Sequence, residues 1–471
     1  MRIYAWTRGL IRRAEACKIM PTANGHGSTG IAGVPVINGE RQPLLGHRAT
    51  FALHPEPGFW RDLLFNAKSS PGITSTSRFI RWPAQAWNVA KITLFSSWIN
   101  LLLIFVPLGI VAGRLKWDAP WVFTLNFLAI IPLAAVLSFA TEEIAGRLGE
   151  TLGGLVNATF GNAVELIVSI VALLAGEIGV VQSSMLGSIL SNLLLVLGMC
   201  FFLGGIYNMR GLEGYGQEQT FSAITAQTTS SLMTLASVSM ILPAALYGIL
   251  SQAEESNKQA SILVLSRGTS VILLFLYCLY LYFALRTHKK LFESEASETA
   301  AGNDCEEEHE PLLGPWAAVL ILVVTTLAVS VCADYMVDSI GALVATGKLS
   351  KTFIGLILIP IVGNAAEHVT ACVAAVKNKM DLAMGVAIGS SIQISLLVTP
   401  ALVMLGWAIG QPMTLHFETF QTVAFALSVL VVTYTVQDGK SNYLEGAMLL
   451  GLYIIIALAF WVSPVDALGK V

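Results

Sequence analysis

The sequence predicts an all-α membrane protein that crosses the bilayer about eleven times. Of its 471 residues, 55% are hydrophobic and 12% are charged, and the mean hydropathy is +0.70. Soluble domains carry about 25% charged residues. Apolar runs recur from residue 93 onward, and most reach the roughly 20 residues that a helix needs to cross a bilayer. A membrane β-barrel would instead show short segments of alternating polarity.

The apolar runs form one extra first helix and two sets of five. The first helix is expected at 93–112, the first repeat at 121–290 and the second at 315–471. Because five is an odd number, the second repeat must enter the membrane from the opposite side, so the repeats are inverted, as in several secondary transporters. Within the repeats, the predicted spans lie near 121–140, 155–176, 182–205, 228–250, 265–285, 315–333, 353–376, 382–407, 418–436 and 444–462.

Residues 1–92 precede the first span and are polar and basic. They contain twelve Lys or Arg residues and four Asp or Glu residues. Basic residues are enriched on the cytosolic side of membrane proteins, so we expect a cytosolic N-terminus, although the loops alone divide almost evenly. Many Gly, Pro, Ser and Thr residues at 19–80 predict a largely disordered tail. Because the first residues contain several arginines, a mitochondrial targeting sequence is a weaker alternative.

The tail also contains a segment with the shape of an acidic di-leucine sorting signal. Glu40, Leu44 and Leu45 are its defining residues, and a sorting adaptor would be the partner that reads it. Residues 308–313 have the same shape. Because such a short pattern occurs twice in one chain, a chance occurrence is the alternative.

Two near-copies of one motif lie inside the third and eighth predicted spans. They occupy residues 161–166 and 363–368, and four of their six positions are identical. Glu165 and Glu367 stand at the same position of the motif. A charged residue at the bilayer centre costs roughly 2.5–3.5 kcal/mol on the mildest insertion scale. Because this cost is present twice at matched positions, we predict that both carboxylates are functional.

A constant separation relates the two halves. Glu165 and Glu367 are 202 positions apart, and so are Ser188 and Ser390 on the helices that follow. Each half therefore contains a carboxylate helix and a partner helix with small and polar residues. A register that extends over both helices favours a true internal repeat over coincidence.

Amide and hydroxyl oxygens accompany the carboxylates at helical spacing. Asn162 and Asn364 each lie three positions before their glutamate, on the same helix face. All these side chains supply oxygen, the ligand that hard divalent cations such as Ca²⁺ or Mn²⁺ prefer. For the serines of the partner helices, helix packing is an equally good alternative. The predicted ligands of a cation site are Glu165, Glu367, Asn162, Asn364, Ser188, Ser390 and Gln393.

Residues that weaken a helix lie beside each glutamate. Gly161 and Gly363 begin the two motifs, and Pro360 lies one turn before the second. An interrupted membrane helix exposes backbone carbonyls, which is tolerated where they line a cavity or an ion site. We predict that both glutamates also carry protons and that His368 assists, since imidazole titrates near neutral pH. A buried neutral hydrogen-bond donor is the alternative for His368.

Further acidic residues allow two interpretations each. Glu142 and Glu143, like Asp334 and Asp338, either guide ions or lie at the membrane surface. The segment 291–314 contains eight Asp or Glu residues and no Lys or Arg between positions 293 and 310. It is either a solvated linker or a regulatory stretch that concentrates or senses Ca²⁺. Its candidate regulatory residues are Glu306, Glu307, Glu308 and Glu310.

The paired motifs resemble the signatures of the cation/proton exchanger family, within the wider cation/calcium exchanger superfamily. Residues 157–165 and 360–368 carry the resemblance, which covers about residues 90–465 and is greatest to the fungal vacuolar calcium/proton exchangers. It implies an extra first span, two inverted five-helix halves, an acidic cytosolic helix at 293–310 and metal ligation around the two glutamates. Asp334 departs from the family, in which a glutamate is expected.

The resemblance implies a secondary antiporter that moves Ca²⁺, with Mn²⁺ as a further candidate, from the cytosol into an acidic compartment in exchange for H⁺ by alternating access. It places the chain in the vacuolar membrane. A sodium-coupled calcium exchanger of the same fold is the close alternative, and a cation channel is a more distant one.

The sequence predicts no enzyme activity. It contains no GxxxxGK[ST], HExxH or GxSxG motif. We expect no cofactor, with Ca²⁺ as a transported substrate, and no nucleic-acid partner. The lipid bilayer is the expected environment, and the oligomeric state stays open, with a homo-oligomer among the alternatives.

Overall fold

The computed structural model describes residues 77–211, 214–250, 255–288, 312–346 and 349–462, and these residues are largely helical. Within them we number fourteen helices. The first two are α1 (Arg78–Phe95) and α2 (Phe105–Arg114). The first repeat contains α3 (Ala119–Ala145), α4 (Gly149–Phe160), α5 (Ala163–Leu174), α6 (Ile178–Asn208), α7 (Ala223–Ile249) and α8 (Glu255–Tyr282). The second contains α9 (Pro315–Ala345), α10 (Lys351–Gly363), α11 (Ala365–Val376), α12 (Met380–Ile409), α13 (Thr419–Thr435) and α14 (Tyr443–Val462).

A sharp turn separates α1 from the first span. The axes of Phe79–Phe95 and Trp98–Arg114 differ by 112°. The second of these segments begins as a 3₁₀ helix at Trp98–Ile104 and continues directly into α2. With a rise of about 2.0 Å per 3₁₀ residue and 1.5 Å per α residue, it is roughly 29 Å long, which matches the apolar thickness of a bilayer. The extra first helix is therefore present, and it begins a little over a turn later than predicted.

Matching helices of the two repeats begin at the same separation as the glutamates. α5 begins at Ala163 and α11 at Ala365, which are 202 positions apart, and the starts of α6 and α12 have the same separation. Each repeat contains one interrupted span. In the first, two residues separate the end of α4 from the start of α5, and in the second, α10 and α11 differ in direction by 57°.

Wider π-helical turns interrupt the helices next to the motifs. They lie at Ser191–Val196 in α6, Ile354–Leu358 in α10 and Ile394–Val398 in α12. Such turns occur often at functional sites. Here they lie close to the predicted ligands of both partner helices.

The lengths of the helices agree with a polytopic membrane protein. Seven helices of the described ranges are long and apolar enough to cross a membrane, and nine spans result if each of two bent pairs is counted as one. α5 and α13 are shorter apolar helices, so the predicted eleven spans are consistent with the structure. Buried apolar side chains fill the space between α6, α11 and α12 and between α3, α5 and α9. The first helices of the two repeats, α3 and α9, pack along each other.

Four two-residue strands lie in the loops of the described chain. β1 (Arg210–Gly211) pairs with β2 (Gly214–Tyr215), and β3 (Gln219–Thr220) pairs antiparallel with β4 (Lys440–Ser441). The second pair joins the loop after α6 to the loop after α13. It therefore connects the two repeats outside the helices.

Candidate cation site between the repeats

The two predicted carboxylates occupy equivalent positions, in the first turn of the helix that follows each interruption. Glu165 belongs to α5 and Glu367 to α11. Glu165 is only 5% exposed, and Glu367 is half-buried. The two side chains are close enough to interact electrostatically. One site between the repeats therefore contains both acids.

Each interruption faces a polar side chain of the opposite repeat. A Cβ added at Gly363 would lie 2.7 Å from Oε1 of Glu165 and 3.1 Å from its Cδ. A glycine at this position lets the carboxylate approach the backbone closely. A Cβ added at Gly161 would lie 3.6 Å from Oε1 of Gln393.

Both predicted asparagines bond to the partner helix of the opposite repeat. Asn162 donates from Nδ2 to Oε1 of Gln393 at 2.6 Å. Asn364 donates from Nδ2 to the backbone carbonyl of Ser188 at 3.3 Å. The hydroxyl of Ser390 lies 2.7 Å from Oδ1 of Asn162. These contacts orient the amides and bring all of the predicted ligand residues into one region.

Several polar atoms of this cluster have no hydrogen-bond partner in the part of the chain that the structure describes. They are Oγ of Ser188, Oδ1 of Asn364, Oε2 of Glu367, and both Oδ1 and Nδ2 of Asn192. Leaving a buried polar group unpaired costs about 1–3 kcal/mol. Both repeats contribute unpaired oxygen atoms to this cluster in spite of that cost. Oxygen atoms are the ligands that a hard cation prefers.

The sequence prediction missed Asn192. Its side chain is fully buried in α6 and lies next to Glu367. Asn192 follows Ser188 by four positions, so the two share a helix face, and this spacing could have identified it. The repeat comparison did not reveal it because the position 202 residues later is Ile394.

His368 contacts the partner helix of the first repeat. Its Nε2 lies 3.2 Å from Oγ of Ser191, and Ser191 also lies next to Tyr453 of α14. The imidazole is therefore held by a hydroxyl group rather than by another carboxylate. This contact is compatible with both predicted interpretations of His368.

Pro360 helps to pack the second interrupted span against the first repeat. A Cβ added at Gly187 of α6 would lie 2.6 Å from Cγ of Pro360. The lack of a side chain at Gly187 thus lets α10 approach α6. Asp334 and Asp338, which the sequence left open, are exposed on α9.

Glu143 has a structural role at the start of the second repeat. Its carboxylate accepts hydrogen bonds from the backbone N–H of Leu312 at 3.2 Å and of Leu313 at 2.9 Å. Leu313 is 1% exposed, so the second di-leucine pattern is buried at its last residue. The neighbouring Glu142 is exposed and accepts a hydrogen bond from Ser138 at 3.2 Å.

Two predicted groups lie outside the described residues. They are the candidate sorting signal at Glu40, Leu44 and Leu45 and the candidate regulatory residues Glu306, Glu307, Glu308 and Glu310.

Two inverted helical repeats that share a buried cluster of polar side chains are the architecture of a secondary transporter. The chain belongs to the sodium/calcium exchanger protein family, whose sequence profile matches residues 119–286 and 317–462. The predicted relationship to exchangers and the predicted all-α fold are both confirmed.

Similar proteins and a similar solved structure support this family assignment. The vacuolar calcium ion transporter of Schizosaccharomyces pombe is 48% identical over 378 residues, which cover 80% of this chain and 88% of that protein. A Ca²⁺/H⁺ antiporter of Aphanothece halophytica is 42% identical over 370 residues, covering 77% of this chain and 96% of the relative. The solved structure of YfkE, a Ca²⁺/H⁺ antiporter, is similar with a TM-score of 0.63 and 34% identity, covering 78% of this chain and 100% of YfkE.

Proposed function

We propose that this chain is a secondary active antiporter that moves Ca²⁺ from the cytosol into the vacuole in exchange for H⁺. The observation that carries this proposal is the cluster of unpaired buried oxygen atoms around Glu367, to which both repeats contribute. Relatives named as a vacuolar calcium transporter and a Ca²⁺/H⁺ antiporter support the two ions and the multi-pass vacuolar location. The cytosolic position of the N-terminus rests on the basic charge of residues 1–92.

The proposed site uses oxygen ligands from both repeats. Ca²⁺ takes about 6–8 oxygen ligands in proteins, which agrees with the number of oxygen-bearing side chains in the cluster. We add Asn192 because its buried side chain is unpaired. Gly161, Gly363 and Pro360 provide the interruptions that let these side chains meet. The proposed ligands are Glu165, Glu367, Asn162, Asn364, Ser188, Ser390, Gln393 and Asn192.

Protons and Ca²⁺ compete for the same carboxylates. The hydroxyl oxygen of Ser390 lies 2.6 Å from Oε1 of Glu367 and 2.7 Å from Oδ1 of Asn162, but a hydroxyl has one proton to donate. Both contacts are satisfied when Glu367 is protonated and donates to Ser390, which in turn donates to Asn162. These two contacts therefore support the assignment of this arrangement to the proton-loaded site. Loss of the proton frees the carboxylate of Glu367 for Ca²⁺, with His368 assisting the exchange.

The energetics require more than one proton for each Ca²⁺. A proton that moves down a difference of about 2 pH units releases about 2.7 kcal/mol. Concentrating Ca²⁺ roughly a thousandfold requires about 4.1 kcal/mol before any membrane potential is included. At least two protons are needed under these gradients. Glu165 and Glu367 together can carry two.

The proposed activity is tested with the full-length protein in vesicles that have an acidic interior. We expect Ca²⁺ to accumulate inside, to require the pH gradient and to be independent of Na⁺. Passive equilibration would indicate a channel, and a requirement for Na⁺ instead of the pH gradient would indicate a sodium-coupled exchanger.

A substitution tests the assignment of the site. Glu165→Gln should abolish exchange, because the amide can neither release a proton nor provide the negative charge. Glu177→Gln is the matched control, since Glu177 lies outside the site and bonds to Lys351 at the surface. Normal exchange by Glu165→Gln would contradict the site.

Three further roles are proposals that rest on the sequence. Glu306, Glu307, Glu308 and Glu310 would concentrate or sense cytosolic Ca²⁺, and Glu40, Leu44 and Leu45 would bind a sorting adaptor. Assembly as a homo-oligomer is the third. Deletion of residues 293–310 should alter the Ca²⁺ dependence of transport, and an unchanged dependence would favour a simple linker between repeats at 121–290 and 315–471.

A further inference from the structure

Two cysteines that are far apart in the sequence lie in contact between the repeats. Cys200 belongs to α6 and Cys372 to α11, and both are free thiols. Cys200 is in the buried core between these helices, and Cys372 packs against that core close enough to interact with the thiol of Cys200. Because α6 and α11 come from different repeats, this contact joins the two halves of the molecule.

Close helix packing surrounds the two thiols. Beyond them, a Cβ added at Gly204 would lie 3.2 Å from Cβ of Ala375. The side chain of Asn208 also donates from Nδ2 to the carbonyl of Ala375 at 3.2 Å. Small residues let helix backbones approach closely. This packing holds α6 and α11 close together along the segment that contains both cysteines, and a disulfide requires close Cα atoms, at about 4.4–6.8 Å.

We propose that Cys200 and Cys372 form a reversible oxidation site at which a peroxide links the two repeats by a disulfide. Cys372 is partly exposed and lies five residues before Lys377, the first residue after α11. Five helical residues correspond to about 7.5 Å, so the thiol lies near the end of the helix. Cys200 is fully buried. Cys372 is therefore the thiol that meets the oxidant.

The chemistry needs two thiols and one hydrogen peroxide. The sulfur of Cys372 attacks the peroxide, the O–O bond breaks, and a sulfenic acid and one water form. The sulfur of Cys200 then attacks that of Cys372, the S–O bond breaks, and a second water leaves as the S–S bond forms. Two electrons pass from the thiols to the peroxide. A dithiol such as dithiothreitol reverses the reaction.

The disulfide would hold two helices of the proposed ion site together. Glu367 precedes Cys372 by five residues on α11, and Asn192 precedes Cys200 by eight residues on α6. Alternating access requires the repeats to move relative to each other around the site. A covalent link between α6 and α11 restricts this movement, so oxidation reduces the rate of exchange.

The cross-link is detected on the full chain with a protease site inserted into the segment 291–311. Cys17, Cys278, Cys305 and Cys332 are replaced by alanine so that only the proposed pair is left. After treatment with peroxide and cleavage, the fragments should stay together on a non-reducing gel and separate when Cys372→Ser is added. If the fragments separate although Cys200 and Cys372 are both present, the proposal is overturned.

A second measurement avoids any dependence on the variants. Peptide mapping of the oxidised wild-type protein by mass spectrometry should recover the Cys200–Cys372 linked peptide. Ca²⁺ uptake should fall in proportion to the cross-linked fraction and recover with dithiothreitol. The uptake readout rests on the proposed function, whereas the gel and the peptide map do not. Full uptake by fully cross-linked protein would refute the regulatory effect.

Discussion

The close approach of Glu165 to Gly363 makes Gly363→Ala a direct test of the site. The added Cβ would lie 2.7 Å from Oε1 of Glu165, whereas ordinary van der Waals contact begins at 3.4 Å. The carboxylate must therefore move by about 0.7 Å. Carboxylate oxygens bind Ca²⁺ at about 2.3–2.6 Å, so a shift of this size exceeds the range of good coordination. We expect the apparent affinity for Ca²⁺ to fall about tenfold, which corresponds to about 1.4 kcal/mol.

The same substitution should leave the fold intact. The atoms that must move are at the flexible end of a side chain rather than in the backbone. Overpacking costs about 1–3 kcal/mol, and replacing glycine by alanine recovers about 0.4–1 kcal/mol from the unfolded chain. The net cost is therefore about 0–2.6 kcal/mol, which is less than the stability of a typical folded protein, and a thermal melt in detergent will measure it.

Gly389→Ala is the matched control for this experiment. Gly389 lies next to Ser390 on α12, and a Cβ added there meets no atom within 4 Å. Ca²⁺ uptake is measured for both variants over a series of external Ca²⁺ concentrations under a fixed pH gradient. If Gly363→Ala has the same affinity for Ca²⁺ as Gly389→Ala, Glu165 is not a ligand of the ion.

Two further substitutions test buried polar side chains outside the two glutamates. Asn192→Leu should raise the melting temperature of the ion-free protein and reduce Ca²⁺ uptake, because it removes a buried amide without a hydrogen-bond partner in the described chain; a lower melting temperature with normal uptake would contradict this role. His416 lies in the loop between α12 and α13, where burial and the positive charge of Lys258 lower the pKa of its imidazole below 6.5. The unfolded chain therefore binds more protons just below pH 6.5, so the protein loses stability as the pH falls there. His416→Gln should reduce this loss in melts between pH 7 and pH 5, and an unchanged pH dependence would refute the assignment.

Internal repetition let the sequence predict which polar residues the structure brings together. A separation of 202 positions relates the two glutamates, their asparagines and the helix interruptions. Because a carboxylate inside the membrane costs free energy, its presence at two matched positions indicates function. The 112° turn before the first span was not predictable from hydropathy, which reports the length of an apolar run but not its direction. Contacts between distant residues, such as those of Cys200 with Cys372, leave no local pattern at all.

The two repeats differ at Asn192, which the sequence prediction did not include. In α12 the polar residue before the π-helical turn is Gln393, which accepts a hydrogen bond from Asn162. In α6 the π-helical turn itself contains Asn192, which is unpaired within the described chain. The second repeat therefore uses its partner helix to fix an amide of the first, whereas the first repeat leaves an amide beside Glu367. A strictly symmetric site would have paired both amides or neither, so we propose that the amide of Asn192, beside Glu367, is the one left to bind the ion.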